Sequence, residues 1–135
     1  MNDSMGIFVA DQIINLLEKN QILIKNSSVL ILGATFKENC PDFRNTKVVD
    51  IAYKLIKKGL KVDIYDPWIN NTLFQKEYNL NLIDSLKEKK YNAIVLAVGH
   101  DEFQEIEISK LKLNNKSIIY DVKGFLDENI SNKRL

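Results

Sequence analysis

Two stretches of the chain are apolar without interruption. Val29 to Leu32, closed by Gly33, and Ala93 to Val98, closed by Gly99, are short and continuous, so each predicts a strand covered on both faces. Leu60 to Tyr65 alternates apolar and polar positions and predicts a strand nearer an edge, ended by Asp66 and Pro67. Ser117 to Val122 predicts a further strand. A helical period runs from Ser4 to about Lys19, with Ile7, Ala10, Ile14 and Leu17 on one stripe, Asp3 or Ser4 as N-cap and Asn20 as a stop. Phe8, Val9, Ile13 and Leu16 lie off that stripe, and a helix apolar on more than one side wants more than one neighbour. A second helix is capped by Asn45 or Thr46, turns Val48, Ala52, Leu55 and Ile56 to the core, and ends in Lys57, Lys58 and Gly59.

Ala34 to Arg44 predicts a loop, because Pro41 cannot lie in a helix interior and pushes Cys40 toward extended geometry. Asn70 to Asn81 reads as irregular and Leu82 to Lys90 as a short helix with Lys87, Lys89 and Lys90 in its last turn. Asp101 to Leu113 carries one or two helical turns, and the tail from Asp127 reads as mobile. Strands separated by helical segments predict the α/β class: a Rossmann-like, doubly wound, mainly parallel sheet of about four to five strands, with helices on both faces. In such sheets ligands bind beyond the carboxyl ends of the strands, where strand order reverses. The loops Gly33 to Arg44, Gly99 to Phe103 and Lys123 with Gly124 are therefore expected to share one edge and form the crevice.

Composition narrows the chemistry. Across 135 residues, 19 basic and 18 acidic side chains leave a net charge of +1, which lacks the basic excess that nucleic-acid binding needs. The single cysteine, Cys40, and the single histidine, His100, leave no disulfide framework, no metal ligand set and no serine-triad base. No apolar run approaches the roughly 20 residues that cross a bilayer, and no secretion signal is present, so a cytoplasmic location is expected. Of the basic residues only Arg44 and Arg134 are arginine, and Arg44 alone lies away from the C-terminus.

The loop Gly-Ala-Thr-Phe-Lys-Glu-Asn-Cys-Pro-Asp-Phe-Arg-Asn-Thr, from Gly33 to Thr46, holds an aromatic (Phe36), a flexible cation (Lys37), polar side chains (Glu38, Asn39, Asp42) and Arg44 beside a helix start that favours anions. Lys123 adds a second ammonium from another strand end. An aromatic face beside two lysines suits a nucleotide or sugar phosphate. A purely structural arrangement would instead pack Phe36 under the loop, leave Lys37 and Lys123 in solvent and pair Arg44 with Asp42. The three spaced glycines of a dinucleotide fingerprint are missing after the first strand, and Asp66, a candidate ribose acid, sits farther along than that motif expects. Cys40 reads as a small loop residue, His100 as a residue that orients its loop or caps Asp101 to Phe103, and Trp68 with Ile69 as a packing anchor.

The run from Val29 to Ile51, with Val62-Asp63-Ile64-Tyr65-Asp66-Pro67-Trp68, then Ala93 to Phe103, then Ile118 to Gly124, resembles the carboxy-terminal UDP-binding domain of the UDP-glucose/GDP-mannose dehydrogenase family. Its wording is most similar to the UDP-N-acetylgalactosamine/N-acetylglucosamine 6-dehydrogenases of Vi-antigen, O-antigen and capsule synthesis. The resemblance implies NAD-dependent, four-electron oxidation of the C6 hydroxyl of a UDP-sugar to a uronic acid. It implies NAD held mainly by an N-terminal domain, a central region that forms a homodimer, and no catalytic residue in this chain. The UDP-sugar site then falls on Phe36, Lys37, Glu38, Asn39, Asp42 and Lys123, within a stretch reaching Phe43, while Arg44 faces the cofactor. The nucleophilic cysteine of the family lies upstream, so Cys40 does not take that role. On this view residues 1–25 are a connecting helix from the central region and 26–135 the UDP-sugar-binding domain, inactive alone. The alternative is a stand-alone Rossmann-like interaction domain with no small-molecule site.

Overall fold

The computed structural model describes residues 4–86, 89–126 and 129–135. Five parallel strands form one sheet: β1 (Ser28–Leu32), β2 (Lys61–Tyr65), β3 (Ala93–Leu96), β4 (Ile118–Asp121) and β5 (Lys133–Arg134). Their order is β2-β1-β3-β4-β5. The chain leaves β1 for the β2 edge and returns to β3 on β1's other side, so strand order reverses between β1 and β3. Every residue of β3 and β4 is buried, as are Val29 to Leu32, whereas β2 is only partly covered, as its alternating pattern and edge position require.

The pleat sends Val29, Ile31, Val95 and Tyr120 to one face and Leu30, Leu32, Ile94 and Ile119 to the other. The first face is covered by the helices α1 (Ser4–Lys19) and α2 (Val48–Lys57), with α3 (Asn71–Tyr78) supplying Phe74. The second is covered by two 3₁₀ segments, Asp101–Glu105 and Ile108–Leu111, through Phe103, Ile108 and Leu111.

The boundaries of α1 agree with the sequence, but its buried stripe is rotated. Val9, Ala10, Ile13 and Leu17 are fully buried, while Ile7 and Phe8 are about half exposed, at 46% and 50%. The cause is Gly6. A Cβ there would stand 2.7 Å from the Asp50 Cβ, so the glycine lets α1 lie directly against α2, and the stripe that continues from it is 6, 9, 10, 13 and 17. The Tyr120 hydroxyl donates to Gln12 Oε1, which ties α1 to β4, and burial raises the Tyr120 pKa above its ordinary value. Asp3 lies outside the described residues. In α2 the buried face is Val48, Val49, Ile51, Ala52 and Leu55, whereas Ile56 is 44% exposed. Lys47 occupies the N-cap position but does not cap the helix with its side chain, the Thr46 hydroxyl accepts from Val48 N at 3.3 Å, and Gly59 closes the helix at φ +100°.

Three expectations are corrected. Asn70 to Asn81 contains α3, with Asn70 Oδ1 accepting from Leu73 N at 3.1 Å and Asn79 closing it in the left-handed region. The described part of Leu82 to Lys90 is not helical: Leu82 makes an isolated bridge to Ile64 and packs with the α-helical face, while Ile83 and Leu86 pack on the other. Lys87 lies outside the described residues. Beyond the undescribed Asp127, the tail adds β5, in register with Tyr120 and Asp121.

Candidate functional site

At the strand-order reversal the loops after β1 and β3 nearly touch. Gly33 has φ +92°, and a Cβ on it would fall 2.6 Å from the Val98 Cβ, so only glycine fits. Beside this junction lies an apolar pocket of about 240 Å³. Met5, Gly6 and Val9 of α1 form one wall, Thr46 to Val48 at the start of α2 another, and Val98 and Val122 the strand-end side. Phe36 and Lys123 stand at it as well, so the first and last of the three expected loops meet here.

The middle loop joins them through buried polar groups. Asp66, 5% exposed, accepts from Ala34 N at 2.7 Å, from Trp68 N at 2.8 Å and from His100 Nε2 at 2.9 Å. His100 is fully buried, and its Nδ1 accepts from Asn39 N at 2.9 Å. An imidazole nitrogen that accepts a backbone N–H carries no proton, so the hydrogen is on Nε2. The Thr35 hydroxyl lies 3.2 Å from Nε2 and donates to Lys37 O at 2.8 Å. Trp68 stacks on the imidazole with centroids 5.8 Å apart and donates from Nε1 to Glu102 Oε1 at 2.9 Å, so it is an anchor as expected. His100 caps the Asp101–Glu105 turn through its carbonyl, which accepts from Phe103 N at 3.0 Å, while its imidazole orients the β1 loop rather than its own.

The predicted site residues divide. Phe36 is 60% exposed beside the pocket and is not packed under the loop. Lys37 and Glu38 follow it and are exposed; Lys123 is exposed across the pocket. Asn39, at φ +55°, is committed to the neighbouring loop after β3: its side-chain oxygen accepts from Asp101 N at 2.9 Å. Asp42 and Arg44 form a two-pronged pair, Nε to Oδ1 at 3.0 Å and Nη2 to Oδ2 at 3.1 Å. The Arg44 hydrogen bonds hold the Asp42 carboxyl below the usual carboxylate range, and Asp42 raises the guanidinium in turn. Phe43 does not line the pocket. It packs edge-on against Phe74 at 5.5 Å, and its carbonyl accepts from the Tyr78 hydroxyl at 2.7 Å, which anchors the far end of the loop to α3.

Sequence reasoning missed the α1 wall and the Asp66–His100 junction. Gly6, a glycine inside a helical pattern, was the available signal for the first, since such a residue marks a close approach. The second had no local signal, because Thr35, Asp66 and His100 meet only in three dimensions.

Lys123 rides on a turn fixed by Asp121. This fully buried carboxylate accepts from Phe125 N at 3.0 Å and Leu126 N at 2.8 Å, with Arg134 Nε 3.8 Å away. Among the described residues no group of His, Cys, Asp and Glu side chains is arranged to hold a metal ion. Nor do they form a dinucleotide cradle. The Ala34 N–H at the start of the loop is already donated to Asp66, and Ala34, Thr35 and Phe36 stand where a glycine-rich loop would need small residues. Both His100 nitrogens are engaged, which leaves Cys40 without that base.

Residues 30–128 match the model of the UDP-glucose/GDP-mannose dehydrogenase family, UDP binding domain. The chain is similar over its whole length to UDP-N-acetyl-D-glucosamine 6-dehydrogenases from Salmonella typhi, 41% identical, and Pseudomonas aeruginosa, 39% identical, and covers 32% of each. It thus spans about a third of the length of these curated relatives. The solved UDP-D-ManNAc dehydrogenase from Pyrococcus horikoshii superimposes with a TM-score of 0.77 at 25% identity, over 98% of this chain and 31% of that one. With a five-stranded sheet, a strand-end pocket and these matches in agreement, the chain belongs to the UDP-binding domain family of the UDP-glucose/GDP-mannose dehydrogenases.

Proposed function

We propose that this chain is the UDP-sugar-binding domain of an NAD-dependent UDP-N-acetylhexosamine 6-dehydrogenase that makes uronic acids for surface polysaccharide. The carrying observation is the pocket at the strand-order reversal, with the exposed ring of Phe36 and the ammonium of Lys123 at its rim. An apolar floor with cations at the mouth suits a nucleoside diphosphate, whose base is apolar on its faces and whose phosphates are anionic. Lys37, next to Phe36, adds charge on the same loop. Asn39 and Asp42 shape that loop, Glu38 is exposed on it beside Lys37, and the charge of Asp42 is offset by Arg44 before any phosphate arrives. NAD belongs to a different part of the longer enzyme, because the described residues offer no cradle for it; Arg44 is the group that reaches toward it. Residues 1–25 lead in from the rest of the enzyme and lend Met5, Gly6 and Val9 to one wall of the pocket, while 26–135 form the remainder of the nucleotide-sugar site. The intact protein works as a cytoplasmic homodimer. A stand-alone interaction domain gains no support, since the exposed Phe36 borders a pocket rather than a flat apolar face.

Steady-state kinetics of the longer enzyme tests this. Lys37→Ala is expected to raise the KM for UDP-N-acetylglucosamine about tenfold or more while changing kcat less. Arg44→Lys is expected to impair the NAD-dependent step. An unchanged KM in the first variant contradicts the substrate site, and an unchanged rate at saturating NAD in the second contradicts the Arg44 role.

A further inference from the structure

The imidazole of His100 touches the β1 loop on both sides of Lys37. On one side Nδ1 accepts from Asn39 N at 2.9 Å. On the other, the Nε2 hydrogen is shared between Asp66 Oδ2 at 2.9 Å and Thr35 Oγ1 at 3.2 Å, and the Thr35 hydroxyl passes its own hydrogen to Lys37 O at 2.8 Å. Asp66 meanwhile holds Ala34 N at 2.7 Å. Residues 34, 35, 37 and 39 are therefore all tied to one buried imidazole–carboxylate pair, Phe36 N closes the loop on Asp42 O at 2.7 Å, and Phe36, Lys37 and Glu38 are exposed on this frame.

We infer that His100 is a positioning residue: as the neutral Nε2–H tautomer it holds the β1 loop in the conformation that presents Phe36 and Lys37 to a nucleoside diphosphate. The part played toward the ligand rests on the nucleotide-binding function proposed above; the hold on the loop does not. Only an imidazole whose Nδ1 is bare and whose Nε2 is protonated satisfies its three partners, Asn39 N, Asp66 Oδ2 and Thr35 Oγ1, together. Either nitrogen can be mimicked alone. The asparagine side-chain oxygen takes the place of Nδ1 and keeps an acceptor for Asn39, whereas glutamine reaches the place of Nε2 and keeps a donor for Asp66.

The test uses the 135-residue chain labelled with ¹⁵N. Without nucleotide, long-range ¹H–¹⁵N correlation is expected to show His100 protonated at Nε2 and bare at Nδ1; the opposite tautomer, or a doubly protonated ring at pH 7, overturns the inference and needs no variant to fold. Amide exchange at Asn39 is expected to be about tenfold faster in His100→Gln than in His100→Asn, with Ile94 and Val95 alike in the two. A merely structural histidine would weaken both variants alike, so equal Asn39 exchange overturns the inference. In titrations with UDP, His100→Gln is expected to bind about tenfold more weakly than His100→Asn, and equal affinity overturns the part played toward the ligand. If the wild-type chain shows the tautomer and the two variants show the exchange difference, but the wild-type chain binds no UDP, the loop hold is supported and the nucleotide function itself is contradicted.

Discussion

Asp66 and Asp121 are both buried carboxylates at the carboxyl ends of strands, and both are held by backbone N–H groups. They differ in where those donors come from. The partners of Asp121 on the backbone lie four and five residues ahead, so the carboxylate folds its own turn and only Arg134 arrives from afar. The partners of Asp66 include Ala34 and His100, which lie 32 and 34 residues away, so it joins three segments that lie far apart in the sequence. A buried carboxylate is tolerated when donors surround it. The same device makes a closed turn in one place and a junction in the other. Lys123 accordingly sits on a self-contained turn, whereas Phe36 and Lys37 sit on a loop whose shape is set elsewhere in the chain.

Substitutions separate the two. Asp66→Ala leaves two backbone donors unpaired and takes the carboxylate partner from a buried imidazole, and is expected to lower stability by about 3–5 kcal/mol in urea denaturation. Asp121→Asn keeps one oxygen acceptor in a local turn, and a smaller loss of about 1–2 kcal/mol is expected. Equal losses would erase the distinction. Lys37→Ala acts on the presented residues rather than on the junction. It is expected to leave the urea midpoint unchanged and to weaken UDP binding about tenfold to hundredfold, the loss of a charge-assisted contact.

The smallest effect belongs to the exposed Asp42–Arg44 pair. Because the folded-state pKa of Asp42 is depressed, its contribution is present above the unfolded value and lost as pH falls through the lower folded one. Arg44→Ala is therefore expected to remove only a slight acid-side dependence below about pH 4, with no change in midpoint at pH 7 in physiological salt.

How much of this was legible in the sequence follows the same division between local and distant causes. β1 and β3 were readable because burial on both faces writes a continuous apolar run, and the end of α2 because Lys57, Lys58 and Gly59 state it locally. The helix α3 was not, since Phe74 is its one buried residue and leaves no stripe; its signal lay in the caps Asn70 and Asn79. Leu82, Ile83 and Leu86 mimic helical spacing, yet they serve opposite faces of the sheet at its edge. The stripe of α1 was displaced because its deepest contact is made by Gly6, which carries no hydrophobicity to detect. At the site, Phe36 and Lys123 were readable as residues just beyond strands. The pairing of Asp66 with His100 was not, because the two lie 34 residues apart and no local pattern links them.

The central claim is that the strand-end pocket between Phe36 and Lys123 receives the UDP portion of a nucleotide sugar. Two-dimensional ¹H–¹⁵N NMR titration of the 135-residue chain with UDP, with CMP and NAD as controls, tests it most directly. The expected result is saturable shifts confined to the amides of Thr35 to Glu38, Thr46 to Val48 and Val122 to Gly124, with UDP alone. Shifts that are absent at millimolar UDP, that lie elsewhere, or that CMP and NAD produce equally would contradict it.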